Sequence, residues 1–348
     1  MTPLSTTHLH LHATAATDLF LDHELAGNNL RNAWANVIRH TTCPETHRRE
    51  APTAEHVAAC PACWFLSAED QPGSVVRPYA FVPPLPPRER VPAGEPFSFG
   101  LTLFGRASQF LPYVVLAAAE MGRVGVGRDR RDGLGRFTLQ AIDAVNPLTG
   151  ETARLLAPGD PLVRLPPPSV AVAPAHAAPA AARLAEQLRR DNGVLAVRFL
   201  SPLRLEEGDR LIKTPDFGVF FKRLLLRYDD LGRRFAGAER RDRAEVAALQ
   251  RAADRVRLVE SRARWRELWS YSGRKGRDTP LGGLVGWAVY RADPDVWPPL
   301  LPWLVLGQGV QAGKSAVKGN GVYELSDAAG GYWARLRQAP ETADTDRL

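Results

Sequence analysis

The sequence predicts an α+β chain built as two similar halves, and three observations carry that reading. Strand-like alternation appears in both halves: Phe97, Phe99, Leu101 and Leu103 alternate with Ser98, Gly100 and Thr102, and Leu195, Val197 and Phe199 alternate further on. Each half closes on the same run of elements: a strand, an apolar helix, a basic glycine-rich loop, and a second strand at 137–145 or 322–325. Between the halves, residues 164–182 read R-L-P-P-P-S-V-A-V-A-P-A-H-A-A-P-A-A-A, a low-complexity stretch expected to be a semi-extended linker. The repeated ending is that of a split βαβ, or ferredoxin-like, unit. Tandem ferredoxin-like domains with antiparallel sheets and glycine-rich loops are therefore the simplest architecture. They fall at 1–163 and 183–337, the first with a cysteine-rich insertion, and an acidic tail at 338–348 is expected to be disordered.

Composition narrows the function classes. With 348 residues, 45% of them hydrophobic, the chain can bury two cores. No run of 18 apolar residues suggests a membrane span. The start, M-T-P-L-S-T-T-H-L-H-L-H, lacks the charged beginning and continuous apolar core of a signal peptide, so a cytoplasmic protein is expected. Net charge is +7, and only five of the 45 basic residues are lysines, which leaves 40 arginines. Genome base composition accounts for part of such an excess. Guanidinium forks also suit phosphates, which points to a polyanion partner.

In chain order, His8, Leu9, His10, Leu11 and His12 show a period of two and predict a strand. Three histidines on one face invite a metal, but ligands normally converge from several elements, so a solvent-facing strand is the simpler expectation. The segment L-R-N-A-W-A-N-V-I-R-H then predicts a helix, with Leu30, Trp34, Val37 and Ile38 on one face. All three cysteines follow. Cys43-Pro-Glu-Thr-His47 precedes Cys60-Pro-Ala-Cys63 by twelve residues, and the two pairs make Cys43, His47, Cys60 and Cys63 a candidate structural zinc site, with His56 as rival fourth ligand. An odd cysteine count in a cytoplasmic chain argues against a disulfide framework. A helix is expected over about 108–121, since Pro112 is tolerable only in a first turn. The loop Gly122–Arg136 interleaves five glycines with five arginines.

In the second half, a helix is expected over 217–228, and the arginine-rich run from Gly237 to Trp269 reads as helical, its alternating charges as a solvated surface. Then W-R-E-L-W-S-Y-S-G-R-K-G-R, Trp265 to Arg277, mixes aromatic, hydroxyl and basic residues; aromatic faces stack bases while cations take phosphates. A strand over 281–290 and a short helix over 297–304 lead to Gly307–Gly321, G-Q-G-V-Q-A-G-K-S-A-V-K-G-N-G. Gly313-Lys314-Ser315 supplies the second half of a Walker A loop. The first glycine of that motif would stand at Gln308, so the nucleotide-triphosphatase reading fails by one residue. A loop that holds a nucleic-acid backbone remains.

P-F-S-F-G-L-T-L-F-G-R-A (96–107), L-G-G-L-V-G (281–286) and V-Q-A-G-K-S-A-V-K-G-N-G-V-Y (310–323) resemble the CRISPR-associated repeat-RNA-processing endoribonucleases of the RAMP superfamily. The glycine-rich ending of the last segment is closely similar to that family's C-terminal loop. L-R-N-A-W at 30–34 is similar to its first helix, and the cysteine cluster to a cysteine-rich branch. The resemblance implies two facing RAMP (RRM-like) domains with repeat RNA, the precursor of CRISPR guide RNA, bound between or across them. The loops and their cations, Arg128, Arg130, Arg131, Arg136, Arg274, Gly313, Lys314, Lys318, Gly319 and Gly321, would clasp the backbone. Other CRISPR effector subunits are further expected partners.

Members of the family cut without a metal, so no catalytic cofactor is expected here. The ribose 2′-OH attacks the adjacent phosphate and leaves a 2′,3′-cyclic phosphate and a 5′-OH. That chemistry needs a base, an acid and cations around the phosphorane. The family histidine lies at or just beyond the first helix, which matches His40 here, with His47 as competitor. No lysine precedes Lys213, a departure from the family site, so Tyr271, Arg274 and Lys275 stand in on chemistry alone. The alternative is a non-catalytic RAMP subunit that holds guide RNA in an interference complex.

Overall fold

The computed structural model describes residues 4–45, 52–66, 76–160, 162–272, 276–326 and 331–337. In the first domain the chain runs β1 (Thr6–Ala15), β2 (Leu19–Phe20), α1 (Ala26–Thr42), α2 (Ala54–Ala59), α3 (Pro61–Leu66), β3 (Tyr79–Val82), β4 (Arg90–Val91) and β5 (Pro96–Phe104). It continues through α4 (Leu111–Val124), β6 (Phe137–Val145) and β7 (Thr152–Leu156). The antiparallel sheet has the order β3-β5-β1-β6-β7, the ferredoxin-like order with one added edge strand. Leu9 and Leu11 point from β1 to one face, where Leu30, Trp34 and Ile38 of α1 and Val114, Ala118 and Met121 of α4 complete the core. Pro112 does fall in the first turn of α4, where its missing N–H costs nothing.

The second domain runs α5 (Pro174–Arg190), β8 (Val194–Leu203), β9 (Leu205–Glu207), β10 (Arg210–Ile212), α6 (Phe217–Phe235), α7 (Arg243–Ala253), β11 (Arg257–Ser261) and β12 (Arg264–Arg266). Then come β13 (Trp269–Ser272), β14 (Arg277–Pro280), β15 (Gly283–Arg291), α8 (Leu301–Val310), β16 (Tyr323–Leu325) and α9 (Ala334–Arg337). Its sheet order, β11-β15-β8-β16, repeats β3-β5-β1-β6 of the first domain without the added β7, and β12 also pairs with β15. The chain is thus a tandem of ferredoxin-like units.

Four expectations are corrected. The supposed linker at 164–182 ends inside α5: Pro174 opens that helix, and Ala177, Ala180, Ala181, Leu184 and Leu188 pack it into the second core. Alanine propensity outweighs the low complexity here, and proline is harmless at a first helical position. The arginine-rich run is helical only to Ala253; the residues beyond it pair as β11 and β12 on β15. The apolar helix is displaced to Leu301–Val310, so the first four residues of the supposed glycine loop are helical and buried. The β1 histidines do not face solvent. His8 and His10 are 1% and 4% exposed, because the second domain covers that face of the sheet.

This covering joins the two units. The Tyr332 hydroxyl lies 2.8 Å from His8 Nε2, His8 Nδ1 lies 2.9 Å from the Thr102 hydroxyl, and the His8 ring meets Trp333 edge-on. Burial holds His8 near a pKa of about 3 and, with His12 and Arg335 adding to it against Asp143, His10 near about 4. Both are therefore neutral packing groups. Gln311 Nε2 donates to the Phe81 carbonyl at 2.7 Å, and the Tyr228 hydroxyl reaches the Leu4 carbonyl at 3.5 Å. The expected acidic tail lies outside the described residues, and among those described no helix is long and apolar enough to cross a membrane.

Candidate nucleic-acid interface

Helix α1 is the spine of the site. Its apolar stripe fixes it on the sheet, which leaves its two ends and one polar side for contacts. Groups from three other segments converge on its beginning. Asn28 Nδ2 donates to the Ser270 hydroxyl at 3.1 Å, which ties the β13–β14 hairpin to the helix. Arg266 on β12 meets Glu24 at 3.0 Å. Gly27 lies against Gly319: a Cβ on Gly27 would stand 2.5 Å from the Lys318 carbonyl oxygen and 2.9 Å from the Gly319 Cα. Glycine at both positions is what allows that close approach.

The glycine-rich loop at 311–321 is therefore mostly a joint. Gly313, Gly319 and Gly321 have φ of 76°, 82° and 73°, and a Cβ at Gly321 would fall 1.8 Å from the Ala312 oxygen. Lys314 and Lys318 are half-buried. Lys314 pairs with Glu206 at 3.0 Å, and, although partial burial opposes it, Lys314 and Arg204 hold the Glu206 carboxyl below the usual range. Of the basic positions expected to clasp RNA, Lys314 thus arrives already paired.

The first-domain loop is different. Its backbone is pinned by Val126 N to Gly135 O at 2.9 Å and Gly135 N to Asp18 O at 2.8 Å. Its arginines stand outward. Arg128 lies over the Phe20 ring, 5.2 Å to the centroid, and within 3.7 Å of Asp22. Arg130, Arg131 and Arg136 are exposed, and no ion pair engages them among the described residues. Asp22 and Phe20 lead directly into α1, so these cations flank the same helix beginning as the hairpin.

The hairpin displays Trp269 and Tyr271, 57% and 67% exposed, as two large aromatic faces, with Arg277 on the pairing strand. Such faces suit base stacking. Arg274 and Lys275, expected to act here, lie outside the described residues.

At the far end of α1, His40 is exposed. Its Nδ1 lies 2.7 Å from the Asn36 carbonyl oxygen. A carbonyl only accepts, so Nδ1 carries the hydrogen of the neutral ring and Nε2 keeps its lone pair. That is the tautomer a general base needs. His40, expected from the resemblance, and Tyr271, expected on chemistry alone, are not brought together, however. Ser270 is bonded to Asn28, and the twelve residues from Asn28 to His40 rise about 18 Å along the helix. Tyr271 stands beside the helix start, away from His40.

Three residues past His40, Cys43 meets His56, Cys60 and Cys63, all four ligand atoms lying within 4.8 Å of one another. His47, the expected fourth ligand, lies outside the described residues. Its rival His56 is delivered by α2, and nothing in local spacing ranks it above His47. Burial first, then the Cys43 and Cys60 sulfurs, push the Cys63 thiol up to about 12.

Two family models match the chain. An N-terminal domain family (AF_1859_N) matches residues 4–168, and the family described as CRISPR-associated endoribonuclease Cas6 matches residues 197–323. No curated protein sequence matches. Among solved structures, a Cas6 product complex is similar over 92% of this chain and 100% of its own, at 16% identity and a TM-score of 0.51. Thermus thermophilus Cas6 is similar over 93% of this chain and 99% of its own, at 15% identity and a TM-score of 0.51. A partial Cas6-RT-Cas1–Cas2 complex gives 14% identity and a TM-score of 0.55 over 93% of this chain, which spans 46% of that longer one.

Proposed function

Since the chain is a CRISPR repeat-RNA-processing protein of the RAMP type, with a Cas6 endoribonuclease domain in its second half, we propose that it lays repeat RNA along α1 and cuts it without a metal. In this reading His40 Nε2 takes the 2′-OH proton. The 2′ oxygen bonds to phosphorus, the bond from phosphorus to the 5′ oxygen breaks, and that oxygen leaves with a proton from an acid. The products are a 2′,3′-cyclic phosphate and a 5′-OH. The observation that carries the assignment is the exposed His40 whose Nδ1 is committed to the Asn36 carbonyl. The similar Cas6 product complex supports an RNA ligand on this fold.

Binding is assigned to the other end of the helix. Arg128, Arg130, Arg131 and Arg136 would hold phosphates, Trp269 and Tyr271 would stack bases, and Lys314 and Lys318 would add weaker contacts. His40→Ala tests the catalytic part. Site-specific cleavage should fall by about 10²- to 10⁴-fold, the usual worth of a general base, with RNA affinity within about twofold. Undiminished cleavage would remove His40 from the mechanism. The distance between Tyr271 and His40 favours a second reading, a RAMP subunit that holds guide RNA without cutting. Wild-type protein that binds repeat RNA and leaves it intact would establish that reading.

A further inference from the structure

We infer that Cys43, His56, Cys60 and Cys63 are the ligands of a structural zinc ion that staples the end of α1 to α2 and α3. The distances are those of a coordination shell. A tetrahedron with Zn–S near 2.3 Å and Zn–N near 2.0 Å places sulfurs about 3.8 Å apart and sulfur about 3.6 Å from nitrogen. Cys43 Sγ lies 3.7 Å from Cys63 Sγ and 3.5 Å from His56 Nε2. The sulfur separation is far beyond a disulfide bond of about 2.05 Å, and all three cysteines are free.

The ring nitrogen facing away from the sulfurs has its own partner. His56 Nδ1 lies 3.3 Å from a Glu45 carboxylate oxygen. A ligating imidazole commonly donates its second N–H to a carboxylate, which fixes the tautomer and orients the ring. Here Glu45 leaves Nε2 as the lone-pair donor toward the sulfurs. Three thiolates and one imidazole make a closed set, which suits a structural ion, and the mix of soft sulfur and nitrogen suits zinc over calcium or magnesium.

The local fold needs such a staple. Helix α2 has six residues and none of them is buried. A helix that short is unstable by itself, and apolar packing does not hold this one. The Thr53 hydroxyl caps its start, accepting from His56 N at 3.2 Å, and Cys60 N donates to the His56 carbonyl at its end. The ligands therefore span three helices: Cys43 just past the end of α1, His56 within α2, Cys60 just past the end of α2, and Cys63 within α3. The last is seated through Phe65 on Trp34 of α1. Cys43 also donates its N–H to the Arg39 carbonyl at 3.1 Å, so the ion would fix the turn that bears His40. Only that last clause rests on the proposed cleavage; the site stands without it.

Metal content tests the site independently of cleavage. Wild-type chain purified from zinc-supplemented growth should carry about one zinc per chain, and cobalt exchanged for it should show the strong visible bands of a tetrahedral thiolate site. His47→Ala should keep the metal. His56→Ala should lose it against a chromogenic chelator, and Glu45→Gln should bind about 10- to 100-fold more weakly. Should His56→Ala fail to fold, a mercurial thiol reagent titrated into wild-type protein should release one zinc per chain. Folded wild-type protein that holds neither zinc nor cobalt would overturn the inference, as would loss of metal in His47→Ala with retention in His56→Ala.

Discussion

Gly122–Arg136 and Gly307–Gly321 each carry five glycines among basic residues, yet the fold uses them in different ways. In the first loop, glycine turns let the backbone fold on itself and send arginines outward. In the second, Gly307 packs on Tyr323 and Leu224, Gly309 on His8 and Tyr332, and Gly319 on Gly27 of the opposite domain. One loop presents charge and the other joins two domains. Glycine richness by itself therefore says only that backbones come close, either to a ligand or to each other. Which of the two holds depends on what stands opposite.

The contrast can be broken by substitution. The largest effect is expected at the joint. Gly321→Ala would place a Cβ 1.8 Å from a backbone oxygen at a positive φ, and should destabilise the chain by about 3 kcal/mol or more in denaturant unfolding. Gly133→Ala in the first loop meets nothing within 4 Å and should cost only about 1–2 kcal/mol, from its left-handed backbone. Equal losses would show that what stands opposite a glycine does not set its cost.

Acid should act on the joint next. His8 and His10 titrate near 6.5 when unfolded and at about 3 and about 4 when folded, so the unfolded chain binds more protons in between. Stability is thus fully present above about pH 6.5 and lost as pH falls toward the folded values, by up to about 1.4 kcal/mol per histidine for each pH unit. Melting temperature followed from pH 7 to 5 measures this, and His8→Gln should flatten the profile. An unchanged slope in that variant would remove His8 as a cause.

The exposed loop should show the reverse pattern. Replacing Arg128, Arg130, Arg131 and Arg136 by alanine should leave stability within about 1 kcal/mol, as surface positions usually do. It should also weaken RNA binding and lower the salt slope by up to about 0.7 for each phosphate no longer neutralised. Lys314→Ala should give the smallest change, because Lys314 must leave Glu206 to meet a phosphate and a half-buried ion pair of this kind is worth only about 1 kcal/mol. A Lys314 effect larger than that of the four arginines would invert the roles assigned to the loops.

Strand alternation, helical stripes and the repeated ending were legible in the sequence because each follows from local periodicity. What escaped depends on what packs opposite. Ser98, Gly100 and Thr102 alternate correctly with the apolar residues of β5, yet Ser98 and Thr102 are themselves buried and Gly100 lies near Leu336, because the second domain covers that face. The same covering buries His8 and His10, which no spacing along β1 could announce. Of the four residues proposed to hold zinc, the cysteine spacing names three, and His56 stands there only as a rival to His47. His56 is thirteen residues from Cys43, and only the α2 turn brings it there. Tyr271 is expected on chemistry alone, and its hairpin is fastened to the beginning of α1, opposite the end that carries His40. The linker failed because an alanine-rich stretch with Pro174 at a helix start and Pro179 inside the helix looks extended until its partner surface is known.

The central claim, that this chain cuts repeat RNA with its own side chains, is tested most directly by incubating it with its cognate repeat RNA in EDTA. Zinc content should be measured alongside, so that a lost staple is not mistaken for lost chemistry. The expected result is cleavage at one position, with a 2′,3′-cyclic phosphate on one fragment and a 5′-OH on the other. Intact RNA in the presence of folded, zinc-loaded protein, or fragments bearing a 5′-phosphate, would contradict it.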